Sequence, residues 1–565
     1  MHAVVSADFE TTTDPKDCRV WLWSICSVSP VEETAWGKDI SSFFRYVFSR
    51  RIEKIFFHNL KFDGGFIVDH LFRVGYVHST ERDIRRGEFS CLMDSKGKLY
   101  QILINAGKGR KLRIWDSLKL FPQSVEELGK IYGGDLRKGS IDYEAVRPVG
   151  YEPTADEVEY CLTDTIIVSR ALMTVQEGPG KMTVGANALA WFVNDFGKSR
   201  FRKVFPVLTY DEDAMARAAY KGGYTYVDPS FAERVTGNGV SVDYNSMYPS
   251  QMDSQQPFPV GYPEEFEGRY ENDGARELYI QYLTCTLMLK PGGLPMVQIK
   301  GSGFYGLHEY VRETVEPVQL ALCNVDLELL FDNYEVDVYS WDGGQKYMDE
   351  KGHDLFGSYY EHWGDIKRNS KGPERENAKL YNNSLYGKFA TTIEVTGKTP
   401  VFEDGKVRWV QGETREREPV YVPVAVYTTA YARRALISAI KCNRDRFIYC
   451  DTDSMHLDGC AAPEGIKLHE TDYGAWKVER SFVRAKHLRA KAYVLEYEDG
   501  TLEVRCSGMP SNVKELVTME NFDYGFSNVE ACDEGVRIIP GRGKKQPKTV
   551  PGGVVLVDTV YTLHR

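Results

Sequence analysis

The chain has 565 residues, room for three or four domains at roughly 150 residues each. Lys plus Arg at 70 against Asp plus Glu at 81 leaves a net charge of −11, so any polyanionic partner must meet a local basic surface, not a basic chain. The 11 cysteines are odd in number and never spaced CxxC, which excludes a zinc ribbon or dithiol motif and fits a reducing cytoplasm. No stretch approaches the ~18 apolar residues of a membrane span, the start runs into the acidic SADFE without a basic export region, and no GxxxxGKS/T marks a P-loop ATPase.

In chain order, apolar strands at Ala3 to Phe9, Ile55 to His58 and Leu112 to Trp115 alternate with helical stretches, the pattern of a sheet flanked by helices. A helix from Asp156 to Val175 closes this region, and Gly178-Pro179-Gly180 ends it and marks a domain boundary. The stretch 255–350 is mixed, with a turn at Pro291-Gly292-Gly293 and no catalytic pattern. Val395 to Val410 reads as two strands around Asp404-Gly405, a type I′ pair, and predicts a projecting hairpin. Arg542 to Lys548 is Gly- and Lys-rich and predicts a mobile basic loop.

Two acidic sets carry chemistry. Asp8 and Glu10 flank Phe9 on a strand and leave from one face, a placement that repels unless a cation lies between them. Asp63, and Asp164 with Tyr160 four residues before it on one helical face, complete a set suited to two-metal phosphodiester hydrolysis, with Tyr160 orienting the attacking water. Any one of these acids alone reads as a solvated surface charge; the joint pattern does not. In the second set, the apolar strand Phe447 to Cys450 ends in Asp451-Thr452-Asp453, and the strand Val240 to Val242 ends in Asp243 before Tyr248-Pro249 turns the chain. If these acids meet, a second two-metal site forms. Lys379, Asn383 and Tyr386 fall at i, i+4 and i+7 of one helical face that can read a nucleotide, with Lys367 and Arg375 as further cations for a triphosphate. The run Arg484 to Tyr493 interleaves cations with an aromatic, a pattern for phosphate oxygens that a solvated charged face shares. Tyr220-Lys221-Gly222-Gly223 reads as a turn or as a close approach to DNA.

Together these motifs resemble, in order and over essentially the whole chain, the protein-primed family B DNA polymerases of the phage phi29 type. The hydrolytic motifs are Asp8 to Thr11, Asn59 to Asp63 and Tyr160 to Asp164; the polymerase motifs are Asp243 to Pro249, Lys379 to Gly387, Tyr449 to Ser454 and Lys491-Ala492-Tyr493. The resemblance implies an α+β multidomain fold: an RNase H-like α/β 3′→5′ exonuclease domain (1–183) and a right-hand polymerase. The polymerase divides into palm (184–254 and 423–505), an insertion contacting the priming protein (255–352), fingers (353–389), a hairpin insertion for strand displacement and processivity (390–422) and thumb (506–565).

It implies catalytic roles for Asp243, Asp451, Asp453, Asp8, Glu10, Asp63, Tyr160, Asp164 and Lys138, and nucleotide contacts from Tyr244, Tyr248, Lys367, Arg375, Lys379, Asn383 and Tyr386. DNA contacts are implied for Asn59, Phe62, Ser117, Leu118, Tyr220, Gly222, Gly223, Thr429, Arg433, Tyr449, Lys491 and Tyr493. Mg²⁺ or Mn²⁺, two per site, are to be held by Asp8, Glu10 and Asp164 and by Asp243, Tyr244 and Asp453, with dNTPs as substrates. Expected partners are template and primer DNA, a terminal priming protein and the phage's single- and double-strand DNA-binding proteins; the protein is expected to act as a monomer in the host cytoplasm, with no membrane. The tyrosine at 244, where a smaller apolar residue is commoner, and the arginine at 375, where lysine is equally usual, are modest departures.

Two rival readings remain at this stage. The Asp451-Thr452-Asp453 triplet alone matches the DxD of glycosyltransferases, which leaves the first acidic set unexplained. A single-strand-binding protein with degenerate sites leaves both sets unexplained.

Overall fold

The computed structural model describes every residue except 1, 2, 108, 176, 177, 179, 273, 300–309 and 534. The first region forms an eight-stranded mixed sheet. Its centre is parallel: Val4–Thr11 pairs with Lys54–Phe57, which pairs with Arg110–Asp116. Val20–Ser27 and Leu99–Gly107 extend it antiparallel on either side. The predicted strands at 3–9, 55–58 and 112–115 are these three central ones. Lys54–Phe57 at the centre is apolar after its first residue because Ile55, Phe56 and Phe57 are all buried. The closing helix runs Ala155–Met173, started by a capping box between Thr154 and Glu157, and it packs on the two N-terminal strands. Of the expected breaker, Pro179 lies outside the described residues, while Gly180 has φ +69.

A five-stranded sheet holds the second acidic set, in the order Trp476–Phe482, Gly239–Tyr244, Ser454–Asp458, Phe447–Asp451, Thr225–Val227. The 21-residue helix Val422–Cys442 is buried along most of its length and binds this sheet to the neighbouring units. Residues 255–351 supply a four-stranded sheet in which Tyr334–Lys351 pairs with Pro257–Phe266 and Leu278–Leu289. The helices Gly352–Asn369 and Gly372–Ser384 form a hairpin of their own.

Two expectations need correction. The hairpin Glu394–Glu403/Lys406–Glu416 turns at Asp404 and Gly405, with φ 52 and 72, as a type I′ pair requires, but it does not project freely. Its cross-strand partners Phe402 and Val407 present one apolar face to the first domain. Val407 is 1% exposed in that domain's core, Phe402 stacks on Phe72 with centroids 5.4 Å apart, and Arg73 donates to the Gly405 carbonyl at 2.7 Å. Likewise Lys544–Val550 is no mobile loop but a strand paired with Gly553–Thr559. Val550, Val554 and Val555 join the same core, and they lie beyond the Gly- and Lys-rich run that predicts a loop. The docking depends on Gly65, where a Cβ would lie 2.4 Å from Val554 Cγ2. Among the described residues no helix is long and apolar enough to cross a membrane.

Replacing Val407 by Asp places a charge in a dry contact and should cost about 3 kcal/mol of docking. Amide exchange should then accelerate across 394–416 while the central strands of the eight-stranded sheet keep their protection; unchanged exchange in the hairpin would contradict the docked arrangement.

Candidate active sites

The first site lies at the C-terminal edge of the parallel strands. Asp8 and Glu10 leave one face of Val4–Thr11 while Phe9 enters the core on the other. Asp63 comes from the first turn of the helix Leu60–Arg73, whose N-cap Asn59 is left-handed at φ 74 with no side-chain cap. Asp116 replaces that cap: its Oδ1 accepts the Asn59 and Leu118 N–H groups, both at 3.0 Å. Tyr160 and Asp164 share a face of Ala155–Met173 and line, with Asn59, Phe62, Lys138 and Tyr143, one cleft of about 770 Å³. Lys138 Nζ donates to Asp164 Oδ2 at 2.5 Å, and the hydroxyls of Tyr160 and Tyr143 lie 2.8 Å apart. Lys545, Pro547 and Leu556 of the C-terminal hairpin form the opposite wall.

Burial, then the charge of Asp164, pushes Asp8 up to about 7. Burial, then Asp8, holds both Glu10 and Asp63 well above the carboxylate range. Asp164 is raised by burial against the pull of Lys138. Asp63 Oδ1 and Asp164 Oδ1 are buried without a hydrogen-bond partner. Desolvated, mutually repelling carboxylates with unused lone pairs are a donor set that fits hard divalent cations.

Sequence reasoning missed Asp116, Tyr143 and His58. His58 Nδ1 bonds Ser117 Oγ at 3.0 Å. Asp116 and Tyr143 carried no spacing signal, since one acts through backbone amides and the other is an exposed phenol in a loop. Ser117, expected at the DNA, is fully buried, and its hydroxyl donates to the Phe57 carbonyl at 3.0 Å; it positions His58. Leu118 is half-buried beside it.

The second site sits where Asp243 ends one strand and Asp451 and Asp453 bracket the adjoining turn. Thr452 is left-handed at φ 62 and its N–H donates to the Tyr224 carbonyl at 2.8 Å, while the Tyr244 N–H donates to the Asp453 carbonyl at 2.7 Å. Burial, then Asp453, raises Asp243 to about 7, and burial, then Asp451, raises Asp453 to about 6. Glu479, on the edge strand, adds to both and was not foreseen. Asp451 is otherwise engaged: Lys491 Nζ reaches both its oxygens at 2.7 Å, and the hydroxyls of Thr225 and Thr452 each donate at 3.0 Å. The Tyr244 ring is buried edge-on to Trp476, centroids 5.1 Å apart, and its hydroxyl accepts a hydrogen bond from Gln251. Only its main chain borders the acids.

Around these acids, Lys367 Nζ donates to Ser246 Oγ at 2.9 Å. Burial, then Arg375, Lys379 and Lys477, lowers its pKa, the mark of cations gathered without enough anions. Lys379 and Asn383 are exposed on Gly372–Ser384. The helix bends at Leu385, so Tyr386 opens a separate turn, Tyr386–Phe389, with its ring 4.1 Å from that of Tyr248. Leu385 keeps right-handed helical angles, φ −67 and ψ −49, so the backbone runs from Asn383 to Tyr386 without leaving the helical region.

Several expected DNA contacts are interior. Thr429 is 1% exposed and its hydroxyl donates back to Ala425 and Val426. Arg433 is 4% exposed; it pairs with Asp326 at 2.6 Å and donates to the carbonyls of Lys221 and Gly222 at 2.9 and 2.7 Å, so it holds the segment Tyr220–Gly223. Gly223 is packed on the acid turn, where a Cβ would meet Thr452 Oγ1 at 2.6 Å; at Gly222 the space is open. Tyr220 is partly buried. Tyr449 is fully buried and accepts the Lys491 N–H at 3.2 Å. In the basic run, Arg484 pairs with Glu496 at 2.5 Å and Lys486 with Asp523 at 3.0 Å, leaving Lys491 exposed and Tyr493 partly so.

Without metal, Asp8, Asp243 and Asp453 stay protonated in the folded chain well above the ordinary value of 3.8. The folded state therefore binds more protons than the unfolded one between about pH 4 and about pH 7, and stability falls as pH rises through that window. The melting midpoint of chelator-treated protein should drop across this range, and less in Asp8→Asn/Asp243→Asn. Mn²⁺ should raise it more at about pH 8 than at about pH 5, because protons no longer compete; equal increments at both would contradict the assignment.

The model for DNA polymerase type B, organellar and viral, matches residues 45–158 and 150–471. The DNA polymerase of Bacillus phage M2 is 39% identical over 584 residues, covering 99% of each chain. That of Bacillus phage phi29 is 38% identical, covering 99% of this chain and 98% of its own, and that of Streptococcus phage Cp-1 is 29% identical over 594 residues. The solved phi29 DNA polymerase complexed with primer-template DNA and incoming nucleotide superposes with a TM-score of 0.91 at 37% identity over 99% of both chains. Two carboxylate sites on two sheets, in a fold shared over its full length with a polymerase solved on its substrates, place this chain in the organellar and viral type B DNA polymerases, as a phi29-like DNA-directed DNA polymerase with exonuclease, palm, fingers and thumb units.

Proposed function

We propose that the chain replicates a phage genome from a protein primer, displaces the non-template strand and proofreads with a 3′→5′ exonuclease. The observation that carries this reading is the pair of desolvated carboxylate clusters on separate sheets, the second of which has Lys367, Arg375, Lys379 and Lys477 gathered near it. Synthesis then belongs to Asp243 and Asp453, which would hold Mg²⁺ or Mn²⁺. When bound, the ions supply the positive charge that acidifies a primer 3′-hydroxyl and offsets the triphosphate. Lys367, Arg375 and Lys379 neutralise the phosphates, and Asn383 reaches the nucleotide from the helix that carries Arg375 and Lys379. Lys491 keeps Asp451 in place and, with Tyr493, presents the primer. Tyr248, held against Tyr386, closes the floor under the sugar and excludes a 2′-hydroxyl.

Hydrolysis belongs to the first cluster. Asp8, Glu10 and Asp164 would hold the ions, with Asp63 beside them, and Tyr160, fixed by Tyr143, orients water. Asn59 and Phe62 contact the strand end, and Lys138 offsets charge on the phosphate. The units fall at 1–183 for exonuclease, 184–254 and 423–505 for palm, 255–352 for the priming-protein insertion, 353–389 for fingers, 390–422 for the displacement hairpin and 506–565 for thumb. The docked hairpin 394–416 bridges the exonuclease and the polymerase and serves as a wedge, driven by nucleotide incorporation in place of ATP. DNA, a terminal priming protein and the phage's single- and double-strand DNA-binding proteins are the partners, in the host cytoplasm, with the enzyme acting as a monomer.

A primed circle carrying a blocking strand tests the reading. Wild type with Mg²⁺ and dNTPs should give long displaced products, Asp453→Ala none, and Asp8→Ala should extend while its degradation of single strands falls at least about a hundredfold. Tyr248→Ala should accept ribonucleotides. Loss of both activities in Asp8→Ala would contradict two separate centres.

A further inference from the structure

The acids of the first site stand at the C-terminal edge of the parallel strands. The opposite edge, where helix Ile40–Ser49 ends and strand Lys54–Phe57 begins, carries a groove of about 770 Å³. Among the described residues its lining has five cations, Arg51, Arg86, Arg110, Lys111 and Arg113, against one carboxylate, Glu53. In a chain of net charge −11 such a surface is a local exception. Lys111 pairs with Asp83 at 3.6 Å, but the four arginines are exposed and, among the described residues, none is in an ion pair. Phe48, half-buried, adds an aromatic ring to the lining.

Local structure holds these groups in place. The helix closes with the Ile52 N–H on the Val47 carbonyl at 3.2 Å and with Arg51 left-handed at φ 56, the position glycine usually fills. Arg86 lies across Gly107, where a Cβ would meet its Cδ at 2.6 Å. Arg113 is the cross-strand partner of Lys54, and burial, then the charge of Arg113, lowers the Lys54 pKa. Like charges thus crowd one another, an arrangement that a polyanion relieves.

Loop 79–86, which the Val77 N–H closes on the Gly87 carbonyl at 3.0 Å, joins this groove to the docked hairpin. Arg415, at the hairpin's base, donates to the Thr80 carbonyl at 2.8 Å; exposed Arg82 and Arg85 follow, and Arg86 enters the groove. We propose that the groove seats the displaced strand, with Arg51, Arg86, Arg110 and Arg113 on its phosphates and Phe48 against a base. The proposal rests on the reading of 394–416 as the element that parts the strands. Primer and template belong to the two carboxylate centres, one on the other edge of this sheet and one on another sheet, so the non-template strand is the one that leaves the hairpin without a seat. Held on the cations, it is kept from rewinding onto the template, and rewinding then competes less with nucleotide addition.

The test uses the full chain on a fork with a 5′ flap of thymidines, some replaced by 4-thiothymidine, with the enzyme halted by omission of one dNTP. Irradiated wild type should cross-link the flap to peptides spanning 48–54, 82–86 and 110–113, an arm that needs no variant to fold. In Arg51→Ala/Arg86→Ala/Arg113→Ala the cross-link should fall at least about fivefold, and the slope of log affinity for the flapped fork against log salt should fall by about 2, as three single-strand phosphate contacts require. The variant should fill gaps at the wild-type rate yet displace a blocking strand at least about threefold more slowly. Wild type that displaces the blocking strand while its flap cross-links only outside these peptides, or a variant that displaces as fast as wild type, overturns the proposal alone. Wild type that fills gaps but displaces nothing overturns the reading of the hairpin beneath it.

Discussion

Carboxylates taken out of water beside one another repel and are poorly solvated, and the fold at both centres is arranged around that cost. Each acid is delivered by a different stretch of chain: a strand end, a helix first turn and a helix face at one centre; two strand ends and a tight turn at the other. Burial is the largest influence on every one of the shifted acids, with the neighbouring charge second or opposed by a lysine. A cluster maintained at such expense, with lone pairs unused, is a donor set that fits divalent cations.

Lysines manage part of the charge. Lys138 sits on Asp164 at 2.5 Å, Lys491 on Asp451 at 2.7 Å and Lys477 near Asp243 at 3.7 Å. The pairing separates the acids, since Asp451 has a lysine and two hydroxyls on its oxygens, while Asp243 has only Lys477 near it, at 3.7 Å. A buried pair, Arg433 with Asp326, holds the carbonyls of Lys221 and Gly222. Breaking one partner of such a pair costs about 3–5 kcal/mol, so the segment 220–223 is fixed relative to the acid turn that Gly223 touches.

Much of this was legible in the sequence, and the pattern of success has a physical reason. Alternation put Asp8 and Glu10 on one face, and apolar runs ending in acids located Asp243, Asp451 and Asp453, because strand periodicity is local. The Asp404-Gly405 turn was legible for the same reason. Contacts made by tertiary packing were not. The docking of 394–416 and 544–559 on the first domain depends on valines and on Gly65 far away in the chain. The burial of Ser117, Thr429, Arg433 and Tyr449 depends on which neighbours cover them. Asp116 and Glu479 belong to the sites through backbone amides and through space, and neither leaves a spacing signature.

The central claim is that divalent cations stabilise two separate groups of buried acids. Diffraction from crystals soaked in Mn²⁺, recorded at the manganese edge, tests it directly. Anomalous peaks beside Asp8 and Glu10 and beside Asp243 and Asp453 are the predicted result; saturating Mn²⁺ with no peak at either group would contradict it.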